Sequence, residues 1–288
     1  MKINICIAQI NYRRNIERHI DGLKKIIAQK RTSDLIVFPE LILHGHPSIE
    51  RPEGLLYRKV KQYYLTIKNQ SNDLFQYIKD MGARVIIGDL KGRPGRFYNA
   101  ATYIDKNTKE SYLKTHVHWT EKFVPGNKIN VFKSPFGNIG INICFDAAFP
   151  EVWRVAALQG ARAIVNISAV HQTFPVDYMW LRMKSAALNN QVFVIYVNRS
   201  GDYFSGHSAV FNPRGNIVIS AKTEAEILST GIDLDEVKVW RREERIYKNR
   251  RPQLYRTITK QEKGKKCLYK RMLIHMTGEG GCNEIHKL

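Results

Sequence analysis

A series of short apolar runs, rich in β-branched residues, constrains this chain more than any other feature. They are KINICIAQI at 2–10, DLIVF at 34–38, a run at 84–89, IGINI at 139–143, and further runs at 162–168 and 192–198. Near-continuous apolarity of this kind suits a strand covered on both faces rather than one with a wetted side. Helical patterns lie between many of these runs. In 15–31, Ile16, Ile20, Leu23, Ile26 and Ile27 recur at helical spacing among lysines and arginines. Residues 53–80 read as one or two helices broken near 69–73, and helices follow at 150–159, 177–189 and about 234–247. Other connections are hairpins: 99–105 with 111–116, and 207–220 turning at Asn212-Pro213-Arg214-Gly215, before a strand at 227–234. Strands joined by helices in some places and by hairpins in others predict an α/β protein with mixed sheets and helices outside them.

At 288 residues, with 43% hydrophobic and 25% charged side chains, the chain can bury one ample core. No apolar run reaches the length of a membrane span, and MKINICIAQI enters a strand pattern directly, without the basic-then-apolar order of a signal peptide. A cytoplasmic protein without a membrane partner is expected. Cys6, Cys144, Cys267 and Cys282 form neither a C-x-x-C pair nor a disulfide framework, which accords with a reducing compartment. The formal net charge is +20, and from Arg241 onward fourteen Lys/Arg stand against five Asp/Glu, which supplies +9 of it. No nucleic-acid motif accompanies this charge, so the basic end is read as a solvated tail and nucleic acid is not the expected partner. The domain is expected over 1–259 and the basic tail over 260–288.

Chemistry concentrates in 136–154, FGNIGINICFDAAFPEVWR. An apolar run hands over at Cys144 to a tight elbow, and a helix starts near Pro150-Glu151. A thiol at such a junction is held by a rigid strand, close to backbone N–H groups that can receive an oxyanion; a lone cysteine in an apolar run can equally be a small core residue. Three other polar residues stand near strand ends. Glu40 follows Phe38-Pro39 after DLIV, Lys114 lies in SYLKTH, and Glu121 comes seven residues later, before the turn at 123–126. Taken singly, each reads as an ordinary surface charge. His44-Gly45-His46 and His116-Val117-His118 have the spacing of a metal pair, but no third ligand is evident, and no metal site is assigned.

Together these phrases resemble the nitrilase, or carbon–nitrogen hydrolase, superfamily. The resemblance covers about 2–256 and rests on IVFPEL (36–41), YLKTHV (112–117), GINICFDAAFPEVWR (140–154), NISA (166–169), ALNNQVFV (187–194), NRSG (198–201), GHSAVFNPRG (206–215) and RRPQLY (250–255). It implies a four-layer α-β-β-α sandwich whose subunits pair through helical faces, as a homodimer or higher homo-oligomer. It also implies Cys144 as nucleophile, its thiolate favoured by Lys114, and Glu40 as general base with a pKa raised by partial burial. Lys114 and the backbone N–H of Phe145 would stabilise the oxyanion, and Glu121 would hold Lys114 and the substrate nitrogen in register. Substrate contacts are expected from His118, Trp119, Phe149 and Ala169, and neither metal nor organic cofactor is required.

The implied reaction is hydrolysis of a small amide or N-carbamoyl amine through a thioester. The alternatives are a small nitrile as substrate, or a silent binding protein that keeps the fold. Phe145-Asp146 after the nucleophile is like the amidase and carbamoylase branches, whereas true nitrilases more often have Trp-Glu. Ala147-Ala148 stands where many relatives carry an arginine for a substrate carboxylate, and Asn189 where most have Glu. A substrate without a carboxylate is therefore expected.

Overall fold

The computed structural model describes residues 1–46, 57–93, 96–201 and 203–260, with the backbone alone over 57–67. The first unit, Met1–Glu244, is built on two six-stranded mixed sheets. In the first sheet, β1 (Lys2–Gln9), β2 (Leu35–Val37) and β3 (Val85–Arg93) run parallel. β4 (Arg96–Ile104) and β5 (Lys109–Leu113) extend it antiparallel on one side, and the late strand β12 (Glu226–Asp233) closes the other edge against β1. In the second sheet, β7 (Gly137–Ile143), β8 (Ala163–Ser168) and β9 (Phe193–Asn198) are parallel, flanked by β6 (Val131–Ser134) and by the hairpin β10 (Ala209–Phe211) and β11 (Ile217–Ser220).

The sheets face each other across one apolar core. Ile3, Ile5, Ile7, Val37, Ile86 and Tyr103 meet Ile139, Ile141, Ile143, Val165, Ile167, Ile195 and Val197, all buried. Full burial of each such aliphatic side chain contributes about 1.5–3 kcal/mol, which explains the density of isoleucine and valine in the runs. The alternate residues of the first sheet (Cys6, Ala8, Ile36, Phe38, Val85, Ile87) form a second core with helix α1 (Ile16–Gln29) and helix α2 (Tyr57–Asp80). Helix α3 (Pro150–Leu158) and helix α4 (Val176–Asn190) cover the second sheet, giving the expected four layers.

Two local expectations need correction. Helix α2 runs without a break through 69–73. Asn, Ser and Asp weaken a helix by only about 0.5 kcal/mol each, while burial of Ser71, Leu74, Phe75 and Ile78 at helical spacing holds that segment down. Strand β6 was not expected, because the two adjacent apolar residues of VFKS give no alternation to read, and only Phe132 is fully buried. Helix α5 (Asp235–Glu244) ends the first unit. The second unit, Arg245–Leu288, is described to residue 260 and contains a 3₁₀ turn at Pro252–Tyr255 and a short helix α6 (Arg256–Thr259). Apart from Lys260, the tail expected at 260–288 lies outside the described residues.

Candidate active site

The site forms where the parallel strands of both sheets end, the usual mouth of an open α/β sheet. Glu40 comes from the end of β2. Its carboxylate is fully buried, and Oε1 accepts from Asn99 Nδ2 at 2.6 Å and from Lys114 Nζ at 3.1 Å. Oε2 has no hydrogen-bond partner among the described residues. The backbone around Glu40 lies on Gly88 of β3. A Cβ there would press into Pro39 O and Leu41 N and stand 2.6 Å from the Glu40 carbonyl carbon. Gly88 is therefore a condition for Glu40 to sit where it does.

Lys114 lies one residue beyond β5, past the end of the strand expected to contain it, but its N–H still donates to Asn99 O at 2.9 Å. Gly126 N–H donates to the Lys114 carbonyl at 2.7 Å, and a Cβ at Gly126 would be 2.8 Å from that of Leu113. The loop before β6 thus closes on the lysine from behind. The Lys114 ammonium is fully buried and is gripped by Glu121 Oε1 at 2.7 Å and Oε2 at 3.0 Å as well as by Glu40. Burial pulls its pKa down, but Glu40, Glu121 and Cys144 outweigh that and raise it, so the ammonium stays charged.

Cys144 follows β7 at a backbone φ of 45°, a left-handed conformation that a cysteine adopts only where its surroundings impose it. It opens a 3₁₀ turn over Cys144–Ala148. Asp146 holds this elbow. One carboxylate oxygen accepts from Thr115 Oγ1 (2.8 Å), His116 N (2.8 Å) and His116 Nδ1 (3.1 Å), and the other from Tyr112 OH (2.8 Å) and Ile143 N (3.0 Å). A single buried carboxylate thereby ties the cysteine's turn to the segment that carries Lys114. Sequence reasoning missed this role. The available signal was an acid two residues after the cysteine together with hydroxyls on either side of the lysine.

The electrostatics differ from expectation in two ways. The Cys144 thiol is pushed up: burial dominates, Glu40 and Glu121 add to it, and Lys114 and the backbone N–H of Ala169 only partly oppose it. Lys114 favours the thiolate, as expected, but the balance of burial and the two carboxylates runs the other way. Burial alone would raise Glu40, but Lys114, His46 and Asn99 outweigh it and hold this carboxylate below its ordinary value. Glu121 is the carboxyl that rises, to about 7, because burial and the Glu40 charge exceed the pull of Lys114. The two carboxylates have to share one ammonium, so one of them takes a proton near neutrality.

The other expected residues lie around these four. Trp119 is exposed, with its ring 3.6 Å from that of His118 and 6.0 Å from that of Phe145. Phe145 also meets His118 edge-on at 4.9 Å and Phe149 at 5.4 Å, and Phe149 stacks on His116 at 3.8 Å. Ala169 contributes its backbone N–H to the Cys144 sulfur. The histidine pairs are turned to other uses: His44 to Asp89 at 2.9 Å, and His116 to Asp146. Among the described residues no group of three or more His, Cys, Asp or Glu is placed to hold a metal ion. No helix of the described residues is long and apolar enough to cross a membrane. Asn189 is exposed on the last turn of α4, with its side chain on Ser185.

Such an arrangement can support acyl chemistry: a half-buried thiol stands beside a buried carboxylate and a buried, fixed cation. Residues 4–242 match the profile of the carbon–nitrogen hydrolases, and the chain belongs to that family. A probable nitrilase of Schizosaccharomyces pombe is 27% identical over 280 residues, spanning 90% of this chain and 99% of the relative. An omega-amidase of Danio rerio is 30% identical over 222 residues, spanning 70% of this chain and 80% of the relative. Among solved structures, a carbon–nitrogen hydrolase from Helicobacter pylori G27 superposes with a TM-score of 0.80 at 21% identity, covering 90% of this chain and 99% of that one.

Proposed function

We propose that the protein hydrolyses the C–N bond of a small linear amide or N-carbamoyl amine through a thioester on Cys144. The observation that carries this reading is the buried Lys114 ammonium, bonded to both Glu40 and Glu121 and favouring the thiolate form of Cys144. Glu40, kept ionised, accepts the thiol proton as the sulfur attacks the carbonyl carbon. The tetrahedral oxyanion forms against Lys114 and the Phe145 N–H. The proton then passes from Glu40 to the leaving nitrogen, ammonia or amine departs, and the acyl group remains as a thioester. Glu40 next takes a proton from water, hydroxide adds to the thioester carbonyl, and the acid leaves as the thiol is restored. Glu121 anchors Lys114 and faces the substrate nitrogen.

The substrate reading is a neutral acyl chain. Ala147 and Ala148 offer no cation, and three arginines among the described residues that could supply one are engaged. Arg154 donates to Asn189 O at 2.6 Å, Arg182 pairs with Tyr178 on α4, and Arg199 is buried over the Phe204 ring. Comparison of kcat/KM for amides differing only in a terminal carboxylate, and for a matched nitrile, tests this. Preference for the uncharged amide is expected. A carboxylate preference beyond tenfold, about 1.4 kcal/mol in transition-state binding, or a nitrile preference, would overturn it. Leu158 of α3 and Leu181 and Leu188 of α4 are exposed on the outer layer, which supports pairing of subunits through helical faces. Free thiols at Cys6 and Cys144 accord with a cytosolic setting. Catalysis is assigned to 1–259, with 260–288 as an appended basic tail.

A further inference from the structure

Glu40 must hold its Oε1 on Asn99 and Lys114 while Oε2 stays available, yet it sits at the start of an irregular turn. The next residue, Leu41, has a φ of 50°, a left-handed backbone that costs a leucine about 1 kcal/mol or more. The backbone bonds Gly88 N to Pro39 O (3.1 Å), Leu43 N to Gly88 O (3.2 Å) and His44 N to Leu41 O (3.1 Å) fold the turn over β3. Each is of ordinary strength, and two of them involve the residue already pressed against Glu40. Among the described residues the turn also reaches β3 through His44, whose Nε2 meets Asp89 Oδ1 at 2.9 Å, with both side chains under 10% exposed.

Asp89 is built to be a fixed point. Its two oxygens also accept from Leu90 N (2.7 Å), Thr102 Oγ1 (2.9 Å) and Lys91 Nζ (2.6 Å), and Thr102 is in turn bonded to Ser111 on β5. These contacts, with His44, overcome the burial that would raise its carboxyl and hold it well below the usual carboxylate range. Asp89 is also the residue after Gly88, the one on which the Glu40 backbone rests. The same two residues of β3 therefore meet the turn at both its ends.

We infer that the His44–Asp89 pair is a latch that positions Glu40: it closes the turn carrying the general base onto β3 and so fixes the carboxylate relative to Lys114 and Cys144. The inference rests on the proposed role of Glu40. Both latch residues act on the carboxylate through the turn and β3, and both are positioning residues. A general base displaced by about 1 Å loses on the order of a hundredfold in rate without a comparable loss of substrate binding.

The test compares His44→Ala, His44→Gln and Asp89→Asn with a control of similar stability loss in the outer core, Leu23→Ala. The kinetics of each are measured per active site, counted by alkylation of Cys144. His44→Ala is expected to lower kcat by about tenfold to a hundredfold with KM within about threefold. His44→Gln, which can still donate to Asp89, should recover most of that loss, Asp89→Asn should fall between them, and Leu23→Ala should keep wild-type kcat per site. If His44→Ala does not fold, the Gln and Asn variants carry the comparison, and Asp89→Asn must still lower kcat more than His44→Gln. Wild-type kcat per site in the folded latch variants, or the same loss in Leu23→Ala, would overturn the latch. Glu40→Gln separates this from failure of the proposed mechanism. A latch that fails while Glu40→Gln is inactive leaves the mechanism standing, whereas an active Glu40→Gln removes both.

Discussion

Asp146→Asn is the substitution whose consequence can be worked most fully from the site. The side chain keeps its shape and loses one acceptor and the charge. Both oxygens face backbone N–H groups, His116 N at 2.8 Å and Ile143 N at 3.0 Å, so either orientation of the amide sets an NH₂ against an N–H that cannot turn away. The hydroxyls of Tyr112 and Thr115 can rotate to accept instead. The least damaging orientation therefore strands one buried backbone donor, at about 1–3 kcal/mol, and weakens the surviving bonds by removing their charge assistance. A total near 3 kcal/mol is expected, which in a unit of this size lowers the melting temperature by about 6–12 °C. Because Ile143 precedes the nucleophile and His116 follows Lys114 by two residues, kcat should fall at least tenfold among folded molecules. Thermal and urea unfolding, with kcat per alkylatable Cys144, measure the two effects. A variant within about 0.5 kcal/mol of wild type and with unchanged kcat would refute the reasoning that Asp146 ties the elbow to the lysine.

Gly88→Ala requires no unusual backbone angle, so its effect comes only from the Cβ pressing on Pro39–Leu41. A kcat loss of about a hundredfold or more is expected, with substrate binding by titration little changed; kcat within threefold would show that the turn can shift freely. The carboxyl of Glu121, at about 7 in the folded chain against an ordinary 4.5, binds more proton folded than unfolded. The stability this contributes is complete below about 4.5 and is lost as pH rises through 7. Unfolding free energy measured from pH 4.5 to 8 should therefore lose a declining component when Glu121 is changed to Gln, and an unaltered pH profile would contradict the assignment.

Much of this was legible in the sequence because sheet interiors demand apolar runs and helix faces demand periodicity. The runs at 2–10, 139–143, 162–168 and 192–198 each became a strand, and 15–31 a helix, within a residue or two. Glu40, Lys114, Glu121 and Cys144 were legible only as a set, since each alone looks like a surface charge or a core thiol. The balance of charge among them was not legible. Whether Cys144 ionises depends on how two carboxylates 81 residues apart divide one ammonium, and sequence spacing says nothing about that distance. Asp146 and the His44–Asp89 pair were hidden for the same reason: their partners come from strands remote in the chain. The unbroken helix α2 shows the opposite failure, a local propensity signal overridden by burial.

The central claim is that Cys144 carries the acyl group, and rapid-quench mass spectrometry tests it most directly. The enzyme is mixed with a small neutral amide, stopped in acid within the first turnovers, and its intact mass and digested peptides are measured, with Cys144→Ser in parallel. The expected result is a mass increase equal to the amide minus ammonia, located on the peptide containing Cys144, and no adduct or turnover in the serine variant. An acyl group on another residue, or a Cys144→Ser enzyme that retains more than a few per cent of wild-type turnover, would contradict it.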